Sequence, residues 1–251
     1  PVHLERMKTY ENILDAKSEI VEYSGSVVIN GDDEMLIDRA RTWIKNKQVI
    51  DCSIETDQAL VYVEYSSGEH SIYIEGNKIG KIKGPEVHQL SIALSIGVLY
   101  VLEQDIKSII KNSGSTKPVE HRQSILTGKK GQKIIDNTFN SNPYSVLSSL
   151  KLLEGNAADA SKLWLVTPGM VELGSEQFVM NKAFAEEASR IVDEVFVVGQ
   201  TNKSALRAGF IDYGIKVNYV DSRDEAVNIL DSLVNENDVV LFENDLPDHY
   251  P

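Results

Sequence analysis

The second half of the chain alternates between short apolar strands and amphipathic helices. Strand patterns occupy residues 163–166, 195–198, 217–220 and 239–242, and helix patterns occupy 177–191, the region of Ala205 and 225–234. Strands this apolar, separated by helices, predict a parallel sheet that is covered on both faces. Right-handed crossovers then give a Rossmann-like domain. No Gly-x-Gly-x-x-Gly sequence follows its first strand, which disfavours dinucleotide binding.

The first half has a different pattern. Apolar residues recur at helical spacing in 10–21, and a compact apolar strand covers 26–30. Short alternating segments between residues 59 and 82, separated by Gly and Asn turns, predict an antiparallel meander. Residues 87–102 are apolar almost all round, which predicts a buried helix. The polar, Gly- and Ser-containing stretch 112–118 predicts a domain boundary, giving an α/β protein with domains 1–117 and 118–251.

Charge and cysteine content restrict the class of partner. A formal net charge of -13 and a pI near 4.9 argue against nucleic acid or an anionic membrane as a general partner. No apolar run reaches transmembrane length, and no charged-then-apolar leader is present. The single cysteine, Cys52, fits a reducing cytoplasm and is expected to be a small buried apolar side chain.

The segment 132–145 carries the strongest local signal for a site. A short strand around Ile134 and Ile135 ends in a polar cluster, and Pro143 then opens a helix that Asn142 or Ser141 can cap. In open α/β sheets, ligands bind beyond the carboxyl ends of the strands. On its residues alone, the segment also fits a capped turn with no ligand.

The same residues resemble a known family. Ile-Ile-Asp-Asn-Thr-Phe-Asn-Ser-Asn-Pro, ending at Pro143, resembles the Asp-Asp-Tyr-Asn-Ala-Asn-Pro segment at the start of the C-terminal domain of Mur ligases. These are ATP-dependent amide ligases of peptidoglycan precursor synthesis, and the resemblance is to the branch that adds D-Ala-D-Ala. It implies that Asp136, Asn137 and Asn140 lie near the nucleotide, and that Arg122, in a His-Arg pair typical of the family, faces ATP. Asn137 replaces the usual second acidic residue.

Three further segments extend the resemblance into the first half. The segments His3-Leu-Glu and Asp15-Ala-Lys resemble the family's His-Leu-Glu and Ala-Lys elements. They imply that His3 and a carbamylated Lys17 are ligands of the second Mg²⁺, since a carbamate supplies the oxygen donors that hard cations prefer. His88-Gln89 resembles a His-Asn pair near the nucleotide, which makes Gln89 a candidate nucleotide contact.

The loop at 166–174 resembles the Gly-Asp-Met-x-Glu-Leu-Gly loop of the D-Ala-D-Ala-adding branch, with Thr-Pro-Gly in place of Gly-Asp. The segment Glu-Asn-Asp-Leu-Pro, which starts at Glu243, occupies the place where that branch commonly has Lys-Gly-Ser-Arg. Losing two cations there and gaining carboxylates should alter which amine substrate is accepted.

The printed residues contain no Gly-x-x-x-x-Gly-Lys-Ser/Thr phosphate loop, which the family uses to bind ATP. We therefore expect the chain to be the C-terminal part of a longer ligase and to be inactive alone. The resemblance implies ATP and Mg²⁺ as cofactors, with UDP-muramoyl peptide and a peptide or amino acid as substrates. Two alternatives stay open. One is an amide ligase for a different amine and carboxylate, and the other is a non-catalytic binding module, which the replacements at Gln89 and Asn137 favour.

Overall fold

A computed structural model of the protein describes residues 3–115, 119–159 and 161–246. The chain divides into two compact units. Glu11–Lys117 form the meander unit, and Pro1–Tyr10 together with Pro118–Pro251 form the parallel-sheet unit. The domain boundary that we predict between residues 117 and 118 falls within 116–118, which lie outside the described residues.

The first half of the chain forms the following elements. They are α1 (Leu4–Met7), α2 (Tyr10–Glu22), β1 (Ser26–Asn30), α3 (Glu34–Ala40), β2 (Gln48–Ser53), β3 (Val61–Ser66), β4 (Glu69–Ile74), β5 (Asn77–Lys83), α4 (Gln89–Val101) and α5 (Ile106–Asn112). Helix α1 belongs to the parallel-sheet unit, and the elements from β1 onwards belong to the meander unit.

The meander unit contains one five-stranded sheet in the order β1-β2-β3-β4-β5. Strands β1, β2 and β3 run parallel, and β3, β4 and β5 form the predicted antiparallel meander. Helix α4 packs against β1, β2 and β3. Gly97 allows this close approach, because a Cβ there would lie 2.6 Å from Sγ of Cys52. Cys52 is fully buried, which confirms the prediction that it is a small buried side chain.

Helix α4 is less buried than we predicted. Its buried face comprises Gln89, Ala93, Ile96 and Gly97. Val98 is 46% exposed, and Leu102, directly after the helix, is 58% exposed. Because the helix packs one side on the sheet, apolar residues on its other side are exposed within the described part of this unit.

The second half of the chain forms one mixed sheet with its helices. The elements are β6 (Ser124–Thr127), β7 (Lys133–Asn137), α6 (Pro143–Gly155), β8 (Leu163–Thr167), α7 (Gln177–Ala188), β9 (Glu194–Val198), α8 (Lys203–Phe210), β10 (Lys216–Val220), α9 (Arg223–Leu233) and β11 (Val239–Glu243). The sheet order is β10-β9-β8-β11-β7-β6, and every neighbouring pair is parallel except β6 with β7.

Both faces of this sheet are covered, as the continuous apolar strands predicted. Trp164 and Val166 point to one face, where they join a buried cluster that includes Ala226 and Leu230 of α9. Leu163 and the fully buried Leu165 alternate to the opposite face. Helix α6 packs on β7 and β11, and α7 packs on α6 and α8. The predicted Rossmann-like α/β fold is confirmed.

Candidate functional site

The candidate site lies at the carboxyl ends of β7, β11 and β8 in the parallel-sheet unit. Strand β11 lies between β7 and β8, so the connection from β7 to β8 passes over a strand that the chain adds last. Such a reversal of strand order leaves a crevice at the carboxyl ends, where ligands of open α/β sheets bind. The three strands end at Asn137, Glu243 and Thr167.

Asp136 organises the start of the loop after β7. Its carboxylate accepts hydrogen bonds from the backbone N–H and the hydroxyl of Thr138, and it lies 2.8 Å from Nδ1 of His121. Burial raises the pKa of Asp136, but the hydrogen bonds from Thr138 and His121 outweigh burial, so the pKa lies below its ordinary value. Asp136 is therefore a charged organiser of the loop, with a side chain only 10% exposed.

Asn137 and Glu243 form the buried centre of the site. The Asn137 amide nitrogen donates to both Glu243 oxygens and to Oγ of Ser149, 3.1 Å away. The hydroxyl of Ser141 also donates to Glu243. Glu243 is 0% exposed, and burial raises its pKa to about 7, although the hydrogen bonds from Ser141, Asn137 and Ser149 act in the opposite direction.

Arg122 and Asn140 are the predicted nucleotide residues that solvent reaches in this unit. Both side chains are exposed, and so is Phe139. The residues on either side of Phe139 and Asn140, Thr138 and Ser141, are buried. The Arg122 guanidinium carbon lies 4.0 Å from the centre of the Phe139 ring. Stacking leaves the edge of the guanidinium fork available for phosphate oxygens. The structure thus brings Arg122 to the loop that carries Asn140.

The capping prediction for α6 is confirmed. The Asn142 side chain accepts hydrogen bonds from the backbone N–H groups of Tyr144 and Ser145, and Pro143 occupies the first turn. The Ser145 hydroxyl accepts from the backbone N–H of Asn142, which completes a capping box. Of the two capping candidates, Asn142 is the cap and Ser141 instead reaches Glu243.

A group of asparagines that sequence reasoning missed holds the loop after β8. Asn181 accepts from the backbone N–H of Met170 and donates to its carbonyl. Asn202 donates to the carbonyls of Pro168 and Met170, and Asn244 donates to that of Gly169 at 2.6 Å. All three asparagines are buried. The one available signal was a polar residue on the buried face of α7, at Asn181.

Gly169 is required at the centre of this loop. Its φ is +78°, and a Cβ there would lie 2.5 Å from Oδ1 of Asn181. A side chain would therefore meet both an unfavourable backbone conformation and a direct steric clash.

Glu243, the first carboxylate of the acidic C-terminal segment, is buried and does not reach the surface. Glu243 and Asn244 are both buried, since each binds a neighbouring strand-end loop. Within residues 243–246, the exposed carboxylate is that of Asp245. It lies 2.9 Å from Nη1 of Arg223. Pro247 and the residues after it lie outside the described residues.

His3 and Lys17 fall in different units of the chain. Nδ1 of His3, at the start of the parallel-sheet unit, lies 2.5 Å from Oε2 of Glu172, in the loop after β8. Lys17 is exposed on α2 in the meander unit. Among the described residues, no group of three or more His, Cys, Asp or Glu side chains is arranged to hold a metal ion.

Gln89 lies in the meander unit and is 8% exposed. Its amide nitrogen donates to the carbonyl of Val63 on β3, at 2.7 Å. This hydrogen bond connects the start of α4 to the sheet.

An open cleft of about 780 Å³ lies beside the ends of β8 and β9. Its polar lining includes Ser175, Gln177, Thr201, Asn202 and Ser204. None of the site residues predicted from the sequence lines this cleft. This open cleft therefore adjoins the loop after β8 and is not lined by Arg122 or Asn140.

The chain matches two protein-family models, one in each half. Residues 1–93 match the family model of the Mur ligase middle domain, and residues 121–243 match that of the Mur ligase, glutamate ligase domain. No helix of the described residues is long and apolar enough to cross a membrane.

The curated relatives include members of two branches. A UDP-N-acetylmuramoylalanine–D-glutamate ligase from Elusimicrobium minutum is 25% identical over 246 residues, which cover 96% of this chain and 52% of the relative. A UDP-N-acetylmuramoyl-tripeptide–D-alanyl-D-alanine ligase from Buchnera aphidicola is 26% identical over 220 residues, covering 82% of this chain and 47% of the relative. The D-Ala-D-Ala-adding branch is therefore not singled out.

Solved structures show the same fold. The MurF ligase from Thermotoga maritima, crystallised in complex with ADP, matches with a TM-score of 0.75 at 24% identity. The match covers 97% of this chain and 56% of that one. The chain spans about half the length of the curated relatives it matches.

Proposed function

Since the chain belongs to the Mur ligase family, we propose that the whole protein is an ATP-dependent amide ligase of peptidoglycan precursor synthesis. The observation that carries this proposal is the match to two Mur ligase domains in order along the chain, residues 1–93 and 121–243. In the proposed reaction, ATP phosphorylates a substrate carboxylate. The nitrogen of an amine then attacks the acyl phosphate, the C–O bond to phosphate breaks, and the amine proton passes to solvent.

Two exposed residues near the end of β7, Arg122 and Asn140, support a nucleotide contact in the parallel-sheet unit. Arg122 is the residue that we assign to phosphate oxygens, because its fork can bond two of them at once and is not engaged by a carboxylate in the described residues. Asn140 is assigned to a polar group of the nucleotide, since its side chain is exposed beside Phe139. Asp136 and Asn137 lie beneath this surface and shape it.

Gln89, His3 and Lys17 complete the proposed site residues. Gln89 is proposed to lie near the nucleotide from the meander unit, and His3 with a carbamylated Lys17 is proposed to bind the second Mg²⁺. The support for these three residues is their position within the family's sequence motifs. Incubation with isotopically labelled bicarbonate tests the carbamate directly, since a carbamylated lysine gives a carbonyl signal by NMR that Lys17→Arg removes.

The amine substrate is proposed to be D-Ala-D-Ala or D-glutamate. The Met-Val-Glu-Leu-Gly sequence that ends at Gly174 favours the first, and relatives named as D-glutamate ligases favour the second. The burial of Glu243 removes one reason to expect an unusual amine, because that carboxylate does not reach the surface. A panel of both amines, offered with their matching UDP-muramoyl acceptors, separates the two branches.

A second candidate is a non-catalytic module that retains the fold. Two residues that depart from the family motifs, Gln89 and Asn137, both make internal hydrogen bonds, to Val63 and to Glu243. Such bonds are what a protein that no longer binds nucleotide would retain.

One experiment separates the two candidates. The whole protein is incubated with ATP, each acceptor and each amine, and both ADP and the amide product are measured. The ligase proposal predicts ADP release that requires both substrates, together with a new amide detected by mass spectrometry. The module proposal predicts neither product with any combination.

A further inference from the structure

Glu243 is a buried carboxyl group for which the proposed reaction has no direct use. It is the last residue of β11 and is 0% exposed. The partners described for it are neutral groups, namely the amide of Asn137 and the hydroxyls of Ser141 and Ser149. Burying a carboxyl group without a cation is unfavourable unless hydrogen bonds offset the loss of water. A hydrophobic side chain at this position would avoid the cost of removing a carboxyl group from water. A glutamate here therefore points to a role for its hydrogen bonds.

The two closest partners of Glu243 lie at opposite ends of one short loop. Asn137 ends β7, and Ser141 precedes the cap of α6. Both bind Oε1 of the same carboxylate. The segment 138–140 between them includes the exposed Phe139 and Asn140. One buried side chain thus holds both ends of the exposed segment.

The segment held in this way carries the residues assigned to the nucleotide. Asn140 belongs to it, and Arg122 rests on the ring of Phe139 at 4.0 Å. A displacement of Phe139 would therefore also displace the guanidinium. A flexible loop would have to be ordered whenever the nucleotide binds, which lowers affinity.

We propose that Glu243 is a positioning residue that holds segment 138–140, and through Phe139 also Arg122, in the conformation that receives the nucleotide. The proposal deepens the proposed function and rests on it. Glu243 acts through Asn137 and Ser141, and it touches no substrate.

The continuation of the chain after Glu243 strengthens the assignment. The backbone N–H of Asn244 donates to the carbonyl of Asn137 at 3.0 Å, and its side chain donates to the carbonyl of Gly169. The end of β11 therefore binds the loop after β7 on one side and the loop after β8 on the other. Among the described residues, it is the strand end that reaches both loops.

The test uses the whole protein and five variants, of which Arg122→Ala reports on the proposed nucleotide site itself. Glu243→Ala removes both anchors, and Glu243→Gln keeps an oxygen that can accept from Asn137 and Ser141. Ser141→Ala removes a single anchor and creates no large cavity. Glu194→Gln is the matched control, because Glu194 is also a buried glutamate of this sheet, but it binds Lys162 and Lys216 at the amino end of the strands.

The kinetic measurement compares the change in the KM for ATP with the change in kcat for each variant. We expect Glu243→Ala to raise the KM for ATP by about tenfold while kcat changes by less than about threefold, since the loop must be ordered at the expense of binding. Ser141→Ala should raise KM by about threefold, and Glu243→Gln should stay within about twofold of the wild type. Glu194→Gln should leave the KM unchanged. A wild-type KM in Glu243→Ala and Ser141→Ala would overturn the proposal.

Hydrogen–deuterium exchange supplies a readout that needs no turnover. Segment 138–142 should exchange faster in Glu243→Ala and Ser141→Ala than in the wild type or in Glu194→Gln. Unchanged exchange in the folded variants would overturn the positioning role. If Glu243→Ala does not fold, Ser141→Ala decides both readouts. A wild-type protein without ATP-dependent ligation refutes the proposed function itself, whereas a raised KM in Arg122→Ala with a normal KM in Ser141→Ala and Glu243→Ala refutes only the role of Glu243.

Discussion

The side-chain amide of Asn137 donates to both carboxylate oxygens of Glu243, at 2.9 and 3.0 Å. The two residues are register partners on the neighbouring strands β7 and β11, although 106 positions separate them in the chain. One buried pair therefore joins the first and last parallel strands of this unit at the edge where ligands bind.

The burial of Glu243 predicts a pH dependence of stability. Its pKa is raised to about 7, compared with an ordinary value of 4.5. Between these values the folded chain retains a proton that the unfolded chain releases, so the free energy of unfolding falls as the pH rises through this window and levels off above it. At about 1.4 kcal/mol for each pH unit, the loss is roughly 3 kcal/mol at most. Urea unfolding at several pH values measures it.

Glu243→Gln provides the control for this prediction. Because the amide does not titrate, the difference in unfolding free energy between wild type and variant isolates Glu243 from every other group. We expect this difference to move in favour of the variant by up to about 3 kcal/mol from pH ~4.5 to pH ~7. A difference that is independent of pH would mean that Glu243 titrates at its ordinary value in the folded chain.

The loop after β8 should not tolerate a side chain at Gly169. Gly169→Ala places a Cβ 2.5 Å from Oδ1 of Asn181 and forces alanine into a φ of +78°. We expect a loss of about 2 kcal/mol or more in unfolding free energy. Gly155→Ala is the matched control. Gly155 lies at the exposed end of α6, and a Cβ added there would have nothing within 4 Å. Equal effects of the two substitutions would contradict the close approach at Gly169.

Asn181 should contribute more to stability than an ordinary helical asparagine. It is 0% exposed, and its side chain satisfies both the N–H and the carbonyl of Met170. Asn181→Ala leaves a buried donor without a partner, and we expect a loss of about 2 kcal/mol. Asn228→Ala, at an exposed position of α9, should be neutral or slightly stabilising. Thermal unfolding of both variants measures the contrast, which would vanish if water replaced the Asn181 amide without loss.

Arg122 should matter for nucleotide binding and not for folding. In the whole protein, Arg122→Ala is expected to raise the KM for ATP by about tenfold or more, with Arg122→Lys intermediate because an ammonium lacks the planar fork. Arg190→Ala is the control, because Arg190 also lies over an aromatic ring, that of Tyr213, at the far end of α7. A normal KM for ATP in Arg122→Ala would remove Arg122 from the nucleotide site.

Local sequence pattern was sufficient for most of the secondary structure of the parallel-sheet unit. The strands β8 to β11 and helices α7 to α9 lie where apolar runs and helical periodicity place them, because each pattern is complete within a few residues. The cap at Asn142 was predictable for the same reason. Two strands were not predicted, β2 and β6. Strand β2 mixes polar and apolar residues, and β6 is a four-residue antiparallel edge whose Ile125 and Leu126 are about half exposed.

The candidate site was also predictable only in part, since only its locally clustered residues could be seen in the sequence. The polar cluster of Asp136, Asn137 and Asn140 was visible because it follows one strand. The burial of Glu243 was not, because its partners lie more than 90 positions away and become neighbours only when β11 is inserted beside β7. The bond from Asn244 to Gly169 was hidden because it also depends on the insertion of β11, whereas Asn181 and Asn202 bind Met170 only 11 and 32 positions away, through the conformation of the loop after β8. Partners of buried polar groups depend on strand order, which local patterns do not specify.

The proposed function requires that the whole protein forms an amide through an acyl phosphate. The most direct measurement supplies the whole protein with ATP, an amine and a UDP-muramoyl substrate whose carboxylate oxygens carry a heavy isotope. We expect one labelled oxygen to be transferred to inorganic phosphate for each amide formed, because the C–O bond to phosphate breaks when the amine attacks. Phosphate that carries no label, or no amide with either D-Ala-D-Ala or D-glutamate, would contradict it.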